Sequence, residues 1–214
     1  MIAGAGVLLS GCATGGHQVT EVQRLQARAA YERALTHMAE RQASPALAAL
    51  KEAVDIDPGV PLYRNLLGLL YLDLQRPELA LEQFTTVTQL DPKMGDAWFH
   101  RGVALAEMRR WDEAIESYRT AVALPTLTVP DLAHQSLGLA FYNVRRYAEA
   151  EQALRFANNL DPRLQAAYYN LGLVFAAEER KEEAKAAFRR ARQLGPESPF
   201  GEAARDRLRA LGEL

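Results

Sequence analysis

The chain repeats itself. Four segments align on a glycine: "RNLLGLLY" from Arg64, "WFHRGVAL" from Trp98, "HQSLGLAF" from His134 and "YYNLGLVF" from Tyr168. Their glycines, Gly68, Gly102, Gly138 and Gly172, are separated by 34, 36 and 34 residues. Each segment is followed by another, "RPELALEQF", "RWDEAIESY", "RYAEAEQAL" or "RKEEAKAAF". There Ala80, Ala114, Ala150 and Ala184 recur, with Phe84, Tyr118, Leu154 and Phe188 four positions on. Prolines close the units at Pro58, Pro92, Pro162 and Pro196. A fixed period of this kind constrains the fold more than any other property here. Each period is one supersecondary unit, and it can bury its apolar faces only by stacking on its neighbours.

Within each unit the apolar residues recur at helical spacing in two runs of about 13 residues, parted by a short polar turn such as "RR" or "QR". Ala, Leu, Glu and Arg dominate the composition, and all four favour helix. The pattern therefore predicts an all-α chain of antiparallel helix pairs. Gly68 and its counterparts are expected where the second helix approaches closely, with Ala80 and its counterparts opposite. A helical glycine costs about 1 kcal/mol relative to alanine, so close packing must offset it. The prolines stop each second helix. With 25 basic against 27 acidic residues, the net charge of −2 carries no electrostatic footprint for nucleic acid. No run reaches the roughly 18 apolar residues of a membrane-spanning helix.

The order x-x-L-G-x-x-Y, then A-x-x-x-F, then P is similar to the tetratricopeptide repeat. The resemblance implies a right-handed superhelical solenoid over residues 21–198, with five repeats at 27–60, 61–94, 95–130, 131–164 and 165–198. The first is degenerate: Ala30, Ala34 and His37 hold its key positions, while Ala46, Leu50, Ala53 and Pro58 keep its second half. The third carries two extra residues in "LPTLTVPD", where Pro125 ends one helix and Pro130 precedes the next. A binding loop and a tolerated insertion both fit that stretch. Residues 199–214 are expected to hold a capping helix from Phe200 to Leu211, with Arg205, Arg207 and Arg209 on its wet side. Thr20 and Gln23 have the spacing of a capping box.

In tetratricopeptide proteins the first helices line a concave groove. The resemblance places there Tyr31 and Leu35, then Asn65, Leu69 and Leu72, then Phe99 and Val103. Gln135, Leu139 and Tyr142 follow, and finally Tyr169 and Leu173. Met38, Leu62, Ala106, Leu132 and Ala176 fall on the same stripe. It is mostly apolar and aromatic, which suits an amphipathic helix or an extended apolar segment. Some of its leucines also fit a plain core between repeats. The paired lysines by which some family members hold a carboxylate are missing, so that mode of binding is rejected.

Other candidates are weaker. Trp98 and Trp111 recur at hairpin positions and read as core. His100 and His134 lie about one repeat apart without a third ligand, so no metal site is assigned. Gly4-x-Gly6 has no strand before it and is no nucleotide motif. No nucleophile, base and orienting residue assemble, so the chain does not read as an enzyme.

Cys12 is the one cysteine. "LLSGC" from Leu8 resembles the lipobox of bacterial lipoproteins, in which residues 1–11 are the remnant of a signal peptide and residues 12–20 a lipidated tether. The resemblance implies a covalent lipid on Cys12, palmitate among its chains, as the sole attached group. Several acyl chains anchor stably where one would not. Met1 to Leu9 holds no basic residue, which predicts a start codon further upstream. Ala13 is not the aspartate that retains lipoproteins in the inner membrane, which implies the periplasmic face of the outer membrane. A lipobox followed by tetratricopeptide repeats is similar to the pilotin family of type IV pilus biogenesis lipoproteins, acting in twitching and gliding motility. That resemblance implies a protein-binding scaffold that assists assembly and multimerisation of the outer-membrane secretin. The alternative is a general envelope adaptor that recruits cell-wall enzymes or other assembly factors.

Overall fold

The computed structural model describes residues 19–213, and the lipobox with Cys12 lies outside them. Eleven helices occupy the described residues, joined by short turns. The first pair is α1 (Glu21–Ala39) and α2 (Ala43–Ile56), and the second α3 (Pro61–Asp73) and α4 (Pro77–Leu90). The third is α5 (Gly95–Glu107) and α6 (Trp111–Val122), and the fourth α7 (Pro130–Asn143) and α8 (Tyr147–Leu160). The last pair, α9 (Gln165–Ala177) and α10 (Lys181–Leu194), is followed by α11 (Pro199–Ala210). None of these helices is long and apolar enough to cross a membrane.

Local sequence explains the boundaries. The Thr20 hydroxyl accepts the Gln23 N–H and the Gln23 side chain accepts the Thr20 N–H, which is the capping box read from the sequence. It starts α1 at Glu21, well ahead of residue 27. Proline supplies the first residue of α3, α4, α7 and α11, where a missing N–H costs nothing. Pro130 thereby belongs to α7 rather than to the unit before it. Second helices end on Asp57, Asp91 and Asp161 in extended backbone, each followed by its proline.

The short polar hairpin turns share one backbone feature. Arg41, Gln75, Arg109, Arg145 and Glu179 all have φ between 56° and 61°. This is left-handed backbone, usually glycine's place. In the turn after α3, the Arg76 N–H reaches Tyr71 O at 2.8 Å and the Gln75 N–H reaches Leu72 O at 2.8 Å. That double bond pattern closes the helix end and repeats in each hairpin, so the turn geometry outweighs the side-chain penalty.

Each helix packs on the next along the chain. In addition α3 touches α5, α5 touches α7, α7 touches α9 and α9 touches α11. The even-numbered helices have no matching contacts with one another, so they fan apart. The solenoid therefore curves with its odd-numbered helices inside. Ala27, Ala30, Ala34, Ala46, Leu50 and Ala53 are all fully buried, so the degenerate first repeat has a packed interface of its own.

The hairpin glycines lie where the second helix comes close, as expected, and a side chain of that helix fills each space: Phe84 faces Gly68, Tyr118 Gly102, Leu154 Gly138 and Phe188 Gly172. The tryptophans and one arginine depart from expectation. Trp98 is half-buried rather than core; its indole N–H donates to Pro92 O at 3.0 Å, and the Arg101 guanidinium lies over its ring. Trp111 is also half-buried, packed on the edge of the core. Arg207 and Arg209 are exposed, but Arg205 is half-buried, its Nε without a hydrogen bond and 3.7 Å from Asp206 Oδ1.

Candidate functional site: the concave stripe

All twelve expected groove residues lie on odd-numbered helices, so the fold puts them on its inner layer. Eleven are half-buried and Leu35 is exposed; none is fully interior. Phe99, Val103, Tyr142, Tyr169 and Leu173 rest on one core cluster, and Tyr31, Leu69 and Leu72 on the other. The buried residues are their neighbours, among them Leu70, Ala104, Ala140 and Val174. Helical rotation turns these into the core and leaves an edge of the stripe facing outward. Leu62 and Leu132, at the start of α3 and α7, are exposed.

The stripe's aromatic rings are braced from behind. Tyr31 packs on Tyr63 at 5.1 Å between centroids, Phe99 on Tyr118 at 5.9 Å, and Tyr142 on Tyr147 at 6.0 Å. Tyr169 touches Phe188 at 5.6 Å and Phe200 of α11 at 5.7 Å, so the capping helix adjoins the C-terminal end of the stripe. Rings held this way lose little freedom when a partner arrives, which favours binding.

The polar members are few. Asn65 Oδ1 lies 3.4 Å from Nδ1 of His100, whose ring packs on Phe84 and Phe99. Burial holds the His100 pKa below its ordinary value. His134 instead packs on Phe156 of α8 at 4.4 Å, so the two histidines serve different surroundings. Among the described residues no group of three or more His, Cys, Asp or Glu is placed to hold a metal.

The seven-residue stretch between α6 and α7 is not a free loop. Thr128 donates its N–H at 2.9 Å and its hydroxyl at 3.0 Å to Asp96 Oδ1. The Gly95 N–H donates to the Thr126 hydroxyl at 3.0 Å, and that hydroxyl bonds Lys93 O. The insertion is thus fastened to the start of α5. Two features escaped the sequence reading. One is an outer cleft of about 280 Å³ between α6, α7 and α8, lined by Arg119, His134, Phe141 and Phe156 and repeated one unit later by Arg155, Tyr168, Phe175 and Arg190. The other is a pair of carboxylates, Asp73 and Glu107, at the ends of α3 and α5. Both could have been found by carrying the repeat alignment past the apolar positions.

Comparison with known proteins agrees with this geometry. A family model described as tetratricopeptide repeat matches residues 65–126 and 136–199, more than half of the chain. Small glutamine-rich tetratricopeptide repeat-containing protein 2 of Mycosarcoma maydis is 26% identical over 85 residues, 40% of this chain. The match spans only 24% of that curated relative's length. Among solved structures, the MamA protein is 22% identical with a TM-score of 0.73, covering 88% of this chain and 96% of its own. PilW, described as a widely conserved type IV pilus biogenesis factor, is 18% identical with a TM-score of 0.70, covering 89% and 94%. The pilF protein of Pseudomonas aeruginosa is 17% identical with a TM-score of 0.74, covering 90% and 87%. At these identities the structural likenesses speak to the fold alone. The stacked helix pairs and the family match agree: the chain belongs to the tetratricopeptide repeat family, whose members are protein-interaction scaffolds.

Proposed function

We propose that the chain is a lipid-anchored scaffold on the periplasmic face of the bacterial outer membrane, where it assists assembly and multimerisation of the type IV pilus secretin. The stripe of braced rings and half-buried leucines on the inner helices carries this reading. It suits an apolar segment that a ring-forming protein buries only after assembly. The lipobox around Cys12 supports attachment to the membrane, through the covalent lipid alone and without a cofactor. The fold likeness to PilW, a type IV pilus biogenesis factor, supports the choice of system. The lipid holds the arm at the membrane; the groove holds the client until its own neighbours replace the scaffold.

The test is an immunoblot for heat-resistant secretin multimers in cells lacking the gene and in cells carrying Cys12→Ser. The proposal expects monomer without multimer in the deletion, and mislocalised or reduced multimer with Cys12→Ser. Normal multimers in both strains refute it, and leave an envelope adaptor that recruits cell-wall enzymes or other assembly factors as the reading to pursue.

A further inference from the structure

On α3, α5, α7 and α9 the charge toward the stripe is acidic; α1 differs, because Arg28, at the repeat position of Leu62, is exposed and paired with Glu32. Arg64 and Arg101 are the arginine or lysine residues of those four helices. Both turn away. Arg64 donates to Gln83 Oε1 at 3.1 Å and to Pro58 O at 3.2 Å. Arg101 donates to the Thr85 hydroxyl at 3.4 Å and also to the Ser117 hydroxyl. Helix α9 has no charged residue at all.

The carboxylates do not turn away. Asp73 follows Leu69 by four residues and Glu107 follows Val103 by four, which keeps each on the face of its groove neighbour. Each is the last residue of its helix, beside the negative end of the backbone dipole, and no basic residue shares that last turn. Among the described residues neither forms an ion pair. Burial raises the Glu107 pKa, with no cation acting against it. Asp73 lines a cleft of about 270 Å³ together with the stripe residue Met38 and the turn residue Arg41, with which it forms no ion pair. The third carboxylate on the stripe, Asp96, is already satisfied by Thr128. Two exposed acidic groups one repeat apart thus flank an apolar surface, and among the described residues neither is held in an ion pair.

We infer that the groove takes an apolar segment bearing lysine or arginine, whose cations meet Asp73 and Glu107. This rests on the groove being the partner-binding face. An anionic or purely apolar segment would leave both carboxylates desolvated without compensation, which works against binding.

Two synthetic peptides test it. They share one amphipathic leucine pattern and carry lysine or glutamate on the polar face. Each is titrated against the full-length chain by fluorescence anisotropy at low and high salt. The lysine peptide is expected to bind about tenfold tighter or better at low salt, with the margin shrinking as salt screens it. Asp73→Asn with Glu107→Gln should remove most of the margin, while Glu116→Gln with Glu182→Gln on the outer helices should leave it. Equal affinities for the two peptides, or a margin untouched by the inner pair, overturn the inference. If equal binding is lost in Leu69→Glu, the groove reading survives and only the cationic preference falls. If neither peptide binds, the groove reading falls as well.

Discussion

The ring of Phe84 stands in the space that a side chain on Gly68 would take: a Cβ there would lie 2.7 Å from Cε1 and Cζ of the ring. Phe84 is fully buried, so it has nowhere to retreat. Gly68→Ala is predicted to destabilise by about 1–3 kcal/mol from overpacking, although alanine gains about 1 kcal/mol in helix propensity. The first repeat shows the compatible pair, with Ala34 and Leu50 at the equivalent positions, both fully buried. Gly68→Ala with Phe84→Leu should therefore recover part of the loss. Urea unfolding midpoints at constant slope check both variants.

The left-handed turns give a prediction of opposite sign. Gln75 has φ of 56°, and its side chain can be removed without disturbing the backbone bonds that close the turn. A non-glycine residue there costs about 1–2 kcal/mol, while glycine costs somewhat less than 1 kcal/mol through the unfolded chain. Gln75→Gly is predicted to stabilise by about 0.5–1 kcal/mol, read as a rise in the thermal midpoint.

Asn158 is buried in α8 with neither side-chain oxygen nor nitrogen hydrogen-bonded. An unmet amide in that setting costs about 1–3 kcal/mol. Val122 holds the equivalent place in the preceding repeat, and Thr88 in the one before satisfies its hydroxyl on Thr85 O at 2.9 Å. Asn158→Val is predicted to raise stability by about 1–2 kcal/mol, and a loss measured by denaturant unfolding would contradict it.

His100 sets a pH dependence. Burial lowers its pKa below the ordinary 6.5, and Asp96 opposes that only in part. Burial lowers His134 in the same direction. Below about pH 6.5 the unfolded chain takes up protons that the folded chain refuses, so stability falls with falling pH; above it both states are neutral and the effect vanishes. His100→Gln should flatten that decline between about pH 7.5 and about pH 5.5, measured by urea midpoints at each pH.

How much of this was legible in the sequence follows from how locally each feature is determined. The helix pairs were legible because Gly68, Ala80, Phe84 and Pro92 recur at one period, and period alone specifies stacked hairpins. The inner face was legible for the same reason, since Leu69, Val103, Leu139 and Leu173 hold one register. The turns were not, because Arg109 and Arg145 carry no glycine signal and only the closing hydrogen bonds force them left-handed. Nor was the docking of Thr128 on Asp96, a contact between segments 32 residues apart. Trp98 misled as a core residue because its indole N–H bonds Pro92 O in the preceding turn and its ring lies under Arg101, contacts that the repeat pattern does not reveal.

The most direct test of the account is capture of the client from the inner face. A photoreactive phenylalanine analogue replaces Tyr142 on the stripe in one strain and Gln152 on the outer helix α8 in another. After irradiation of living cells, the account predicts a crosslink to the secretin from Tyr142 and none from Gln152. Secretin crosslinks from Gln152 alone, or from neither position, would contradict it.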